Sequence, residues 1–356
     1  MNKKACSTID WSVGRSRQIG EKMEKTNKQN VLKKLFVIRG MGQVITVTIG
    51  LIILCIVFGI VNPIFFSGKN VANLLRQIAP ILIIGIGQSY VLITGNIDLS
   101  IGSVVGMSCM ISATLMTKGV NPLVAVLITI ICCLAVGILN GELVAKCKLP
   151  PFIATLGTMT IARGIAQIVN NNYNTGSIGE GAKGFRDFFY YGKTIGLYNT
   201  IWIAIVLWIV FDFILSRTRT GRHVYAIGSN IDASKLSGVN VTSTTIKAYL
   251  VSAICACTVG LMTCATTGMG TMDAGNCYEM YAVAASVIGG VSTLGGQGIL
   301  LGTVIGASIW GVLQNGLQFA GAPVAIRNIT IGIIVVVSVL LDVVVRTGKP
   351  RKKKTN

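Results

Sequence analysis

The sequence predicts an all-α integral membrane protein: a polytopic helical bundle of about ten transmembrane helices with both termini in the cytoplasm. Three observations predict it. Of 356 residues, 52% are hydrophobic and only 12% are charged, about half the charge of an average soluble domain. Apolar runs of spanning length recur along most of the chain. The basic excess, 31 Lys and Arg against 12 Asp and Glu, lies mainly outside those runs.

The runs fall at about 41–61, 74–94, 100–117, 123–145, 151–169, 199–215, 245–267, 280–291, 299–320 and 327–345. The run at 280–291 is the shortest and ends in Gly289 and Gly290, which predicts a bent helix continuing toward Ser292 or a re-entrant segment. Two connections are long. The one at 170–199 is rich in Asn, Gly and Tyr and suits a surface loop or a short lid. The one at 216–244 opens with a basic cluster, passes the turn formers Gly228 and Asn230, and then offers a short helix from Asp232 to Ser237 closed by Gly238.

Charge placement sets the orientation. With the amino terminus inside, the cytoplasmic loops and tails hold 22 Lys and Arg, and the outer loops hold seven. The chain divides into a basic cytoplasmic N-terminal segment, 1–40, a transmembrane domain, 41–345, and a basic cytoplasmic tail, 346–356. Basic ends of this kind face anionic lipid, so the net charge of +19 does not point to nucleic acid. Residues 1–40 lack the apolar stretch of a secretory signal, which predicts a retained amino terminus.

Several function classes drop out. Cys55, Cys109, Cys132, Cys133, Cys255, Cys257 and Cys264 lie in apolar runs without metal-ligand spacing, so neither zinc nor a structural disulfide is expected. The lone His223 has no nucleophile motif around it, and HExxH and GxSxG motifs are missing, so no catalytic residues and no cofactor are expected. The chain also has no Gly-x4-Gly-Lys-Ser/Thr loop, so ATP hydrolysis would fall to another subunit.

An ionisable side chain at the bilayer centre costs about 2.5 kcal/mol or more, which makes the few inside spans informative. Asp212 and Asp342 lie near span ends, and Glu142 has Lys146 one helical turn on. Arg163 also falls within a span. Asp98 differs from these. It sits in Thr94-Gly-Asn-Ile-Asp-Leu-Ser-Ile-Gly102, where glycines and small polar residues break the helix. Asn96, Asp98 and Ser100 then either line a passage or form a tight turn in which Asp98 caps the next helix. Asn140, Thr155, Thr158, Gln314 and Asn315 add amides and hydroxyls suited to a neutral, hydroxyl-rich solute. A weak internal echo is also present: the spacing of Gly95, Gly102 and Gly106 recurs at Gly295, Gly302 and Gly306.

Four segments resemble the permease subunits of bacterial ATP-binding-cassette (ABC) importers for monosaccharides, the ribose, xylose and galactose branch. They are Thr94 to Gly102; Leu149-Pro-Pro-Phe-Ile-Ala-Thr-Leu-Gly-Thr158; Gly221-Arg-His-Val-Tyr-Ala-Ile-Gly-Ser-Asn230 with Ala233 and Ser237-Gly-Val239; and Ile288-Gly-Gly-Val-Ser-Thr-Leu-Gly-Gly-Gln-Gly298. Two departures stand out: Asn96 replaces a frequent glycine, and Tyr281, in Glu279-Met-Tyr-Ala282, replaces a carboxylate. The resemblance implies a multi-pass protein of the bacterial cell membrane with a second permease copy, cytoplasmic ATPase subunits and an extracytoplasmic sugar-binding protein as partners. It also implies that Ala226, Gly228, Asn230, Ala233, Ser237 and Gly238 form the ATPase-coupling surface. The competing reading is an ion-coupled secondary sugar carrier with Asp98 as coupling site.

Overall fold

The computed structural model describes residues 41–347. The basic segment 1–40 and most of the basic tail, 348–356, lie outside the described residues, as does the side chain of Asp342. Twelve helices carry the architecture: α1 (Met41–Val61), α2 (Gly68–Ile93), α3 (Ile101–Thr117), α4 (Pro122–Ala145), α5 (Pro151–Ile168), α6 (Asn199–Arg217), α7 (Arg219–Ser229), α8 (Ile231–Leu236), α9 (Val241–Thr267), α10 (Tyr278–Ile288), α11 (Leu300–Phe319) and α12 (Val324–Thr347). Six of them, α1, α2, α4, α6, α9 and α11, are long and apolar enough to cross a membrane. α5 has 18 residues but is less apolar, and α3 and α10 are shorter, with 17 and 11 residues.

Polar caps start the helices where the sequence places them. Ser67, Asn121, Thr218, Asn230 and Asn240 each accept a backbone N–H through the side chain, opening α2, α4, α7, α8 and α9. Pro122 and Pro151 occupy first-turn positions, where a missing N–H costs nothing. α9 is the central helix and packs against α2, α3 and α4. The second half of α2, Ile81 to Ile93, is buried on every side, so it is a core helix, whereas α1 leaves Ile49, Ile52, Ile53, Ile56 and Ile60 exposed as a lipid-facing surface.

The 170–199 connection is folded. It holds short helical turns at Glu180–Ala182, Lys183–Arg186 and Asp187–Tyr191 and a two-residue hairpin, β1 (Lys193–Thr194) with β2 (Leu197–Tyr198). The Arg76 guanidinium lies 4.1 Å from the Tyr190 ring and 4.0 Å from the Tyr198 ring, which ties this segment to the start of α2.

The 280–291 run is helical only as far as Ile288, and no bent helix continues toward Ser292. α10 ends at Ile288, and a non-helical segment, 289–299, leads into α11. In the glycine echo, Gly95 and Gly295 touch each other, both at positive φ (79° and 85°). Gly102 packs on Gly275 and Glu279 at the start of α10, while Gly302 and Gly306 pack on Gly289 and Ala285 at its end. The two glycine stripes therefore clamp the same short helix from both ends.

Candidate functional site

After α2 ends at Ile93, the chain leaves helical geometry over 94–100, and Asp98 turns back into the bundle. The carboxylate is 3% exposed. Its Oδ1 accepts the Ser100 backbone N–H at 2.9 Å and the Ser100 hydroxyl at 2.6 Å, and its Oδ2 accepts the Ser252 hydroxyl of α9 at 2.7 Å. The geometry matches the tight-turn reading of Asp98, which accepts the backbone N–H of the residue that opens α3, and it also places the carboxyl in a polar layer. The layer continues from Ser100 Oγ, which accepts Asn140 Nδ2 of α4 at 2.9 Å. Thr158 of α5 then donates its hydroxyl to Asn140 Oδ1 at 2.5 Å.

Four of the residues expected along a passage therefore form one chain of hydrogen bonds linking the α2–α3 break, α4 and α5, and Ser252 extends it to α9. Among the described residues no Lys or Arg pairs with Asp98. Its carboxyl group is surrounded by two hydroxyls, one N–H and the amino end of α3. A buried polar network is stable only when its members are satisfied, and here the carboxylate, the amide oxygen and the hydroxyls each find a partner.

The remaining expected residues lie elsewhere. Thr155 is buried one turn before Thr158 and donates to the Pro151 carbonyl at 2.8 Å, so it touches the layer only through its own carbonyl. Asn96 donates to Thr94 Oγ1 at 2.8 Å and belongs to the end of α2. Asn315 forms a reciprocal amide pair with Asn70 at 3.0 and 3.2 Å. That pair lies in the first turn of α2, about 35 Å along the helix from the Asp98 break. Gln314 is half-buried beside Asn315, outside the Asp98 layer. The Asn315 amide thus links α11 to α2, and neither Asn315 nor Gln314 belongs to the Asp98 layer.

The 216–244 connection is more helical than the sequence suggests. Gly228 is no turn former, because α7 runs through it to Ser229. It is a point of close approach. A Cβ there would overlap the Ile93 carbonyl and stand 2.5 Å from the Gly296 backbone nitrogen. Gly296 N–H itself donates to the Ile93 carbonyl at 2.8 Å, and Tyr225 of α7 donates its hydroxyl to the Gly298 carbonyl at 2.6 Å. Burial, with the charge of Asp212 adding to it, pushes the Tyr225 phenol up to about 12, so it stays a neutral donor. Tyr249 of α9 donates to the Ile97 carbonyl at 3.0 Å, fixing the residue before Asp98.

Beyond Gly228, Asn230 caps α8 by accepting Ala233 N–H at 2.9 Å, and Gly238 closes it at φ 78°. The short helix is thus where the sequence places it. One face of it, around Ser234, is buried, and the other projects from the bundle: Leu236 is 91% exposed, and Ala233, Asn230, Ser237 and Gly238 are exposed as well, while Ala226 on α7 is half-buried. A continuous path of contacts therefore runs from α8 through α7 to the 93–98 and 295–298 segments, and from there to Asp98.

Ser252 and Tyr249 are not singled out by the sequence because each lies within the long helix-forming run of α9. The i, i+3 spacing of Tyr249 and Ser252 was the available signal, since it puts both on one face of α9.

The permease family described as branched-chain amino acid transport system / permease component matches residues 70–339. The ribose import permease protein of Bacillus subtilis is 34% identical over 321 residues, covering 89% of this chain and 98% of that protein. The ribose import permease of Escherichia coli is 35% identical over 296 residues, covering 83% and 92%. The galactose/methyl galactoside import permease of Haemophilus influenzae is 33% identical over 312 residues, covering 82% and 92%. No solved structure matches the chain. With the broken helix, the polar layer and the projecting α7–α8 unit, these similarities lead to one conclusion: the chain belongs to the family of multi-pass membrane permease components of ABC importers.

Proposed function

We propose that the chain is the membrane-spanning permease of an ATP-driven monosaccharide importer, passing a sugar such as ribose or galactose from an extracytoplasmic binding protein into the cytoplasm by alternating access. On this reading ten segments cross the membrane, both termini and the α7–α8 unit face the cytoplasm, and two copies assemble side by side. The domains are the basic segment 1–40, the permease domain 41–345 with the coupling loop 216–244, and the basic tail 346–356.

The single observation that carries the reading is the contact path from α8 to Asp98. ATPase subunits closing on Ala226, Gly228, Asn230, Ala233, Ser237 and Gly238 would press α7 against the Ile93 carbonyl and the 295–298 segment. That push reaches the break that holds Asp98, and a bistable bundle converts such a shift into rocking between two openings. Asn96, Asp98, Ser100, Asn140, Thr155 and Thr158 are the proposed polar positions near the passage, with Gln314 and Asn315 on α11 as further candidates.

The ion-coupled alternative finds less support at Asp98. Both carboxylate oxygens already accept donors from the protein, and the group is buried at 3% exposure.

The deciding experiment is uptake by membrane vesicles holding the chain with its ATPase and binding protein, offered labelled pentoses, hexoses and leucine. Saturable ATP-dependent uptake of a monosaccharide, with leucine excluded, is the expected result. Uptake of leucine in place of sugar, or sugar uptake that persists without the ATPase and collapses with the ion gradient, would overturn the reading.

A further inference from the structure

Past the end of α9, the segment 268–277 runs alongside α3. Gly270 N–H donates to Thr175 Oγ1 at 2.7 Å. Arg163 of α5 donates from one Nη1 to the carbonyls of Met272 and Ala274, at 2.8 and 2.9 Å. This accounts for the arginine inside an apolar span: it holds a non-helical stretch of backbone against α5.

α10 begins where that stretch ends, and its first turn carries a cluster the transport reading leaves unused. Tyr278 and Tyr281 share a helix face, with ring centroids 5.6 Å apart. Trp310 of α11 meets Tyr281 nearly edge-on at 4.5 Å. Both tyrosines are half-buried. Trp310 is 8% exposed, and its indole N–H finds no acceptor among the described residues. Asn276 is exposed, and Glu279 is half-buried with its carboxylate against Gly102 of α3.

Packing alone does not account for this set. Buried indole N–H groups ordinarily find a partner, so an orphaned one marks a place where a bound group supplies the acceptor. Half-exposed rings with a few convergent polar groups are also the usual make-up of a small-molecule site. A lipid chain would leave the donor unused. A cation would require Glu279 to be free of competition, whereas Arg163 stands on the adjoining stretch of backbone. A neutral sugar ring suits both the aromatic cluster and the unpaired donor, laying its C–H face on the rings and a hydroxyl on the indole N–H.

We propose that Tyr278, Tyr281 and Trp310 form a binding site for a neutral monosaccharide in transit, and that Tyr281 sets which sugar passes. The inference rests on the transport reading above and adds a site to it. Tyr281 is also the position where the sequence departs from the resembled family, with a ring in place of a carboxylate.

The test is sugar uptake by proteoliposomes holding the complete transporter, measured against concentration for the wild type, Tyr281→Phe, Tyr281→Ala and Trp310→Phe. The expected result is a KM within about twofold of wild type for Tyr281→Phe and a rise of about tenfold for Tyr281→Ala. Trp310→Phe, which removes the donor and keeps an aromatic ring, is expected to give a rise of about threefold. In parallel, Trp310 emission is followed in a protein carrying Trp11→Phe, Trp202→Phe and Trp208→Phe, where the sugar should cause a saturable change that Tyr281→Ala abolishes.

An unchanged KM in all variants, or no sugar-dependent change in emission, overturns the site while leaving the permease reading in place. A wild type that moves no monosaccharide withdraws both. If Tyr281→Ala fails to fold, the emission change in the protein that retains Tyr281 decides the matter.

Discussion

Gly228→Ala tests how α7 transmits motion to the membrane. The added Cβ would overlap the Ile93 carbonyl and approach Gly296 N to 2.5 Å, where ordinary contact needs a little over 3 Å, so backbone must part by about 1 Å. The group beside it is the 2.8 Å bond from Gly296 N–H to the Ile93 carbonyl. Stretching that bond by an ångström removes most of it, at about 1–3 kcal/mol for a buried pair. Alanine returns about 0.5–1 kcal/mol of helix propensity, so the net loss at this contact is about 1.3 kcal/mol at the middle of a range of about 0–2.5 kcal/mol. Because about 1.4 kcal/mol corresponds to a factor of ten, sugar moved per ATP consumed should fall roughly tenfold in proteoliposomes, with the protein still inserted and ATP still hydrolysed. Wild-type stoichiometry in the variant would refute the idea that α7 drives the break through this contact.

Other positions give independent outcomes. Ser252→Ala removes one of three donors to the buried Asp98 carboxylate and should cost about 1.5–3 kcal/mol of stability, seen as a lower Tm of the detergent-solubilised protein; an unchanged Tm would mean the layer is not under electrostatic demand. Leu236→Glu changes a side chain that is 91% exposed. It should leave Tm unchanged while weakening association with the ATPase subunit in a pull-down, and unaltered association would remove α8 from the docking surface. For the Asn70–Asn315 pair, a double-mutant cycle with leucine at both positions should give a coupling of about 1 kcal/mol or more in Tm-derived stability, and strict additivity would contradict the reciprocal bond.

Helix positions were legible in the sequence wherever lipid or core demanded about 20 apolar residues, as at α1, α4 and α9. α8 was legible because Asp232 and Gly238 mark its ends, although the residue that caps it is Asn230, read in the sequence as a turn former. α10 was legible only as an anomaly, since its shortness comes from a non-helical partner segment that periodicity does not describe. The candidate site divided along similar lines. Asp98, Ser100, Asn140 and Thr158 were identified as polar residues interrupting apolar sequence, and they do meet. Asn315 carried the same signal and did not join them, because an amide buried between helices looks alike in sequence whether it serves a passage or a helix contact. Gly228 was misread for a related reason: glycine serves both turns and close approach, and only the position of the Ile93 carbonyl tells the two apart.

The central claim is that solute crosses only when the α7–α8 unit is driven from outside the chain. Flux of labelled sugar through proteoliposomes tests it most directly, comparing the purified chain alone with the chain joined by its ATPase and binding protein, with and without ATP. Flux confined to the complete assembly with ATP, and unaffected by an ionophore, is the predicted result. Sugar carried by the chain unaided would contradict it.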